Sequence, residues 1–152
     1  MNTQECIKQF YISFQPVTMN DGTTFINTES DSPAWVQNVI RKSHLGHLPN
    51  SYYYSTIYHI AGLLYDTVID NPDLPLSTMA DIAREQLEPD IYTSDLAGWL
   101  GAFDDHIGYL DDAIKEGGFT DGWELLANAQ MHWKMDILDS VVNALQAVID
   151  SK

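Results

Sequence analysis

NSYYYSTIYHIAGLLYDTVID, residues 50–70, decides the fold class. Tyr53, Ile57, Ile60, Ala61, Leu64 and Val68 recur every three or four residues, the spacing that lines one face of an α-helix. The pattern predicts a helix from about Asn50 to Asp70, ended by Asn71-Pro72, because proline has no amide hydrogen and disfavours helical geometry in the residue before it. His59 falls between apolar neighbours on this helix and is expected to be buried and hydrogen-bonded.

Helical signals continue on both sides. Upstream, Ser32 is expected to cap a helix whose first residue is Pro33, with Trp35, Val36, Val39 and Ile40 forming its apolar stripe toward Gly46. Downstream, Ser77 is expected to cap a third helix bearing Met79, Ile82, Ala83 and Leu87, and Pro89 prevents its continuation. Thr93 or Ser94 caps a fourth, with Leu96, Trp99, Leu100 and Phe103 inward and Asp95 in the first turn, where the helix dipole favours a negative charge. A short fifth helix around Tyr109–Lys115 stops at Gly117-Gly118. Thr120 then opens a long helical region holding Trp123, Leu126, Met131, Ile137, Leu138, Val141, Val142, Leu145 and Val148, with a break expected near Gln130–Trp133.

The first thirty residues read differently. Ile7, Phe10, Tyr11, Ile12 and Phe14 are β-prone, and Asn20-Asp21-Gly22 is a turn signal before the β-prone run Thr23–Ile26. A small hairpin there must pack on the helices or on a partner, since two strands alone are marginal in water. The expected architecture is mainly α: an N-terminal segment, 1–30, irregular or a short β-hairpin, then one compact helical domain, 31–152, with five to six helices in the whole.

At 152 residues and 45% apolar, the chain has the size and composition of one globular domain. No apolar run approaches the ~18 residues of a membrane span, and the start, MNTQECIKQF, lacks the basic-then-apolar layout of a signal peptide. A single cysteine, Cys6, excludes an internal disulfide and any multi-cysteine zinc site. Together these predict a cytoplasmic protein.

Charge is the strongest functional signal. Asp and Glu number 22 against 7 Lys and Arg, a net charge of −15, although charged residues make up only 19% of the chain. The imbalance is therefore mainly a shortage of bases, and most carboxylates lack a cation within a helical turn. Residues 88–124 hold ten acidic residues against Lys115 alone, which is nine of the fifteen excess negative charges. Such a field repels phosphate backbones and anionic membranes, so direct nucleic-acid and membrane binding are not expected. It attracts metal cations and proteins with basic clefts.

Specific chemistry is sparse. His44 and His47, in HLGH, are three apart, as two metal ligands on one helical face would be, but Gly46 falls between them at an expected helix end. DDHIGYLDD, residues 104–112, invites a calcium reading that fails. Counted from Asp104, the sixth and twelfth positions of an EF-hand loop, which need Gly and Glu, are Tyr109 and Lys115. No phosphate-binding loop, dinucleotide fingerprint, serine elbow or zinc-protease motif is present, and Cys6 has no histidine close in sequence. No catalytic residue, cofactor or metal is expected, and an enzyme is the less favoured class. Its remaining form is a small enzyme with a carboxylate-rich or metal-assisted site.

Two surfaces stand out. In Tyr52, Tyr53 and Tyr54, with Tyr58 following, three successive helical residues cannot all face one core, so at least one ring is expected at the surface. This makes a candidate interface, including one joining a structural homodimer, with packing between helices as its alternative. The second surface is acidic: Asp95, Asp104, Asp105, Asp111, Asp112 and Glu116. Carboxylates four and seven apart share a helical face about 6 Å apart, close to the phosphate spacing of a DNA strand, provided Gly108 does not break the helix. Such an array could occupy the cleft of a nucleic-acid-binding protein as a DNA mimic. A merely solvating acidic face is the alternative, as is adaptation of a whole proteome to salt, which would spread charge evenly.

LPNSYYY, residues 48–54, and LEPDIYTSDLAGWL, residues 87–100, give the chain a resemblance to small acidic helical proteins of unassigned function, encoded in bacteria, phages and other mobile elements. The resemblance spans about residues 33–148 and rests on packing and capping patterns. It implies an accessory role in a phage or mobile-element setting and supplies no active-site residue. This chain departs from the pattern at Ser51–Tyr54, where such proteins carry more charge.

Overall fold

The structure, a computed structural model, describes residues 1–18, 20–22, 24–28, 32–43, 50–88 and 122–151. It is mainly α-helical. Five helices occur among the described residues: α1 (Thr3–Ile12), α2 (Ala34–Lys42), α3 (Asn50–Asp70), α4 (Leu76–Gln86) and α5 (Gly122–Asp150). The helices expected from Thr93 or Ser94 and around 109–115, and the cap at Thr120, lie outside the described residues.

α3 is the central element, with α1 and α4 packed against it and α5 touching α1, α2, α3 and α4. All six of its stripe residues, Tyr53, Ile57, Ile60, Ala61, Leu64 and Val68, are buried. The helix ends where the amide of Asn71 bonds to Thr67 O at 2.9 Å, just before Pro72. α2 buries Val36, Val39 and Ile40, and α4 buries Leu76, Met79, Ala80 and Ala83.

Residues 3–12 correct the β-prone reading. They form a helix because the apolar positions Cys6, Ile7 and Phe10 fall at helical rather than alternating spacing and drop into the core cluster. Its start is capped reciprocally: the Asn2 side chain accepts from the Glu5 amide at 2.8 Å and donates to Glu5 Oε1 at 3.2 Å. Burial of a helical stripe overrode the β preference of the individual residues. Strands β1 (Phe14–Thr18) and β2 (Thr24–Thr28) follow, antiparallel from Phe14 opposite Thr28 to Thr18 opposite Thr24. Gly22, at φ +88°, sits in the turn between them, a conformation that favours glycine. β2 lies beside α3.

Three further corrections concern helix ends. Pro33 and Pro75, not Ser32 and Ser77, occupy the N-cap positions of α2 and α4, and neither helix start has a side-chain cap bond. The fixed φ of proline sets both chain entries instead. α5 runs unbroken for 29 residues, about 43 Å at 1.5 Å per residue, through the expected break. Gln130–Trp133 contains neither glycine nor proline, so nothing there interrupts the hydrogen-bond ladder. Trp133, Ile137, Leu138, Val141 and Leu145 bury one face of this helix. No helix among the described residues is long and apolar enough to cross a membrane.

Candidate functional site

Among the described residues, two cavities open along α3. They adjoin and share Ser55, His59 and Leu63. The first, about 410 Å³, lies where α3 meets the end of α4 and the middle of α5, and is also lined by Thr56, Gln86, Glu88 and Lys134. The second, about 440 Å³, lies between α1 and α3 and is lined by Tyr11, Tyr58, Gly62 and Asp66 with the shared residues.

Lys134 belongs to the interior. It is 4% exposed, and its Nζ donates to the backbone carbonyl of Glu88 at 2.8 Å, tying α5 to the end of α4. One turn earlier on the same face, Gln130 is fully buried, and neither its Nε2 nor its Oε1 has a hydrogen-bond partner among the described residues. Most buried amides are paired, so this one marks an unusual place in the core.

Two rings that line the second cavity, Tyr11 and Tyr58, stack with each other and pack on rings outside the lining. Tyr11 lies 5.5 Å from Tyr58 at 12° and 4.6 Å from Tyr65 at 28° between ring planes. Phe14 tilts against Tyr58 at 5.7 Å, and the Tyr11 and Tyr58 hydroxyls stand 3.4 Å apart. The Tyr11 phenol is pushed up to about 12, first by its hydrogen bond with Tyr58, then by burial and by the negative charge of Asp66. Deprotonating it would lose the shared proton and place a second negative charge beside that carboxylate.

Other candidates resolve individually. Tyr53 is an interior residue, 1% exposed, with its ring edge-on to Trp133 at 5.2 Å, so it offers nothing to a partner. Tyr54 and Tyr58 are half-buried, and the Tyr52 side chain lies outside the described residues. His59, expected to be buried, is exposed, because its position falls off the core-facing stripe and on the rim of both cavities. Cys6 is fully buried, and burial pushes its thiol up to about 11 despite the pull of the nearby N-terminal charge, so it is held as an unreactive thiol. Among the described residues no group of three His, Cys, Asp or Glu side chains could hold a metal ion.

Asp95, Asp104, Asp105, Asp111, Asp112 and Glu116 lie outside the described residues, as do His44 and His47. Most described carboxylates face outward: Glu5, Asp21, Asp66, Asp70, Asp73, Asp81, Glu85, Glu88, Asp136, Asp139 and Asp150 are exposed, while Glu124 is half-buried. Arg84 bridges Asp81 at 2.8 Å and Asp139 at 2.6 Å, linking α4 to α5, and these contacts, Asp139 foremost, hold its guanidinium above its ordinary range. Sequence reasoning missed the α1–α3 groove because Tyr11 had been placed on a strand. The signal that could have found it is the Asn2 to Glu5 capping pair, which starts a helix and puts Tyr11 on a face with Lys8. No protein-family model, curated protein or solved structure matches this chain at a significant level.

Proposed function

We propose that this chain is a non-enzymatic acidic binding protein that engages a basic, nucleic-acid-binding protein by presenting carboxylates where that partner expects phosphates. One observation carries the reading: nine of fifteen excess negative charges fall within residues 88–124, with Lys115 the single base among them. Asp104, Asp105, Asp111, Asp112 and Glu116 supply the array, and Asp95 extends it.

The rest of the molecule supports this by adding to the same field. Asp66, Asp70, Asp73 and Glu85 are exposed, and none has a cation within ion-pair distance among the described residues. Exposed carboxylates of one sign raise encounter rates with a basic cleft and exclude nucleic acid itself. The resemblance to acidic phage and mobile-element proteins implies an accessory role for such a protein.

The test replaces Asp104, Asp105, Asp111 and Asp112 together by Asn and compares both proteins as baits at low and high salt. The wild type is expected to retain a nucleic-acid-binding protein at low salt and release it at high salt. The substituted protein is expected to retain none while unfolding at the same temperature. Undiminished capture by the substituted protein removes the array from the account. Capture that survives high salt points instead to an apolar interface, such as a homodimer joined through α3.

A further inference from the structure

We propose that the groove between α1 and α3 seats an arginine side chain of a basic protein partner. This rests on the reading above in one respect: the partner is basic. The groove is built separately from residues 88–124, on residues described in full.

Its lining carries one formal charge, and that charge is negative. Tyr11 and Tyr58 bring two phenol oxygens to its wall, Ser55 a hydroxyl, His59 an imidazole and Asp66 a carboxylate, while no lysine or arginine lines it among the described residues. The two phenol oxygens stand 3.4 Å apart, longer than a usual hydroxyl–hydroxyl bond, so their lone pairs remain available to a stronger donor. Asp66 is exposed and has no cation within ion-pair distance among the described residues, yet its charge reaches the Tyr11 phenol. A carboxylate and two phenols thus share one electrostatic environment that favours a cation.

The wall is aromatic. Two lining rings, Tyr11 and Tyr58, stack on each other, and Tyr65, outside the lining, stacks on Tyr11, so the orientation of the Tyr11 and Tyr58 rings is set before anything binds. Gly62 lets one ring edge approach the helix: a Cβ there would meet Tyr11 Cε1 at 3.5 Å, an ordinary contact, and a longer side chain would extend into the groove. A guanidinium suits this setting better than an ammonium. It is planar and offers five N–H donors in a fixed fork, which a carboxylate and two phenols can accept together. In a protein of net charge −15, such a cation is also drawn in from a distance.

The test follows the tyrosine ring resonances by NMR during titration with an end-blocked Gly-Arg-Gly peptide and with its citrulline counterpart, which keeps the shape and loses the charge. The arginine peptide is expected to shift Tyr11 and Tyr58 saturably, and citrulline to bind at least about tenfold more weakly. Asp66→Asn is expected to cost about tenfold. Gly62→Leu is expected to abolish the shifts, and an unchanged far-UV circular dichroism spectrum checks that the fold persists. The protein with Asp104, Asp105, Asp111 and Asp112 changed to Asn should give the same shifts as the wild type. Equal binding of both peptides, or binding indifferent to both Asp66→Asn and Gly62→Leu, overturns the groove. Shifts that persist while partner capture survives the four Asn substitutions sink the charge array alone.

Discussion

Gln130 offers the most demanding test of the packing. It sits on α5 one turn before Lys134, fully buried, with neither amide atom hydrogen-bonded among the described residues. Leaving a buried donor or acceptor unpaired costs about 1–3 kcal/mol per group, the water bonds lost on folding not being replaced. Methionine has nearly the same length and no polar atoms, and it adapts to irregular space. Gln130→Met is therefore expected to stabilise the protein by about 1–3 kcal/mol, set by the desolvation penalty it removes. In a chain of this size that raises Tm by roughly 2–4 °C for each kcal/mol. Urea unfolding followed by far-UV circular dichroism gives the value directly, and an unchanged m-value shows that the gain belongs to the native state. A loss of stability above about 1 kcal/mol refutes the reasoning, because it means the amide is satisfied and anchors α5 through a polar contact.

Four further expectations concern the same body. Trp133→Ala removes a 1%-exposed ring packed edge-on to Tyr53 and should cost about 3–5 kcal/mol in the same urea assay. Cys6, fully buried with its thiol raised to about 11, should resist a thiol reagent at pH 8 in the native protein and react at once in urea. The Arg84 bridge from α4 to α5 is largely solvated, so a double-mutant cycle with Asp139 should return a coupling below about 1 kcal/mol that shrinks with added salt. The Tyr11 phenol has a raised folded-state value of about 12 against 10.0, so its contribution is complete below pH 10 and is lost as pH climbs from there through 12. Tyr11→Phe should flatten that alkaline decline in unfolding curves recorded between pH 9 and pH 12.

How much of this was legible in the residues varies by element. α3 begins and ends where its pattern places it, and its six stripe residues are all interior, because a long periodic run leaves no competing arrangement. α1 was obscured because Ile7, Phe10, Tyr11 and Ile12 favour strands individually, while the fold rewards the face they form together. The serines expected as caps of α2 and α4 lost to the neighbouring prolines, since a preset φ can start a helix without a side-chain bond. The break expected in α5 was a change of neighbours read as a change of structure: Gln130 and Lys134 carry polar groups into the core without interrupting the backbone. The α1–α3 groove depends on contacts between residues far apart in the chain, such as Tyr11 and Tyr58, 47 positions apart, which spacing within one helix cannot reveal.

The central claim is that a basic partner reads this protein as it would read nucleic acid, and competition tests it most directly. A complex between this chain and a DNA-binding protein it captures is titrated with duplex DNA at fixed ionic strength, and the release of this chain is followed by fluorescence anisotropy. The account predicts full displacement along a single competitive isotherm, with neither species holding the partner together with the other. A stable ternary complex, in which DNA binds while this chain stays bound, contradicts it.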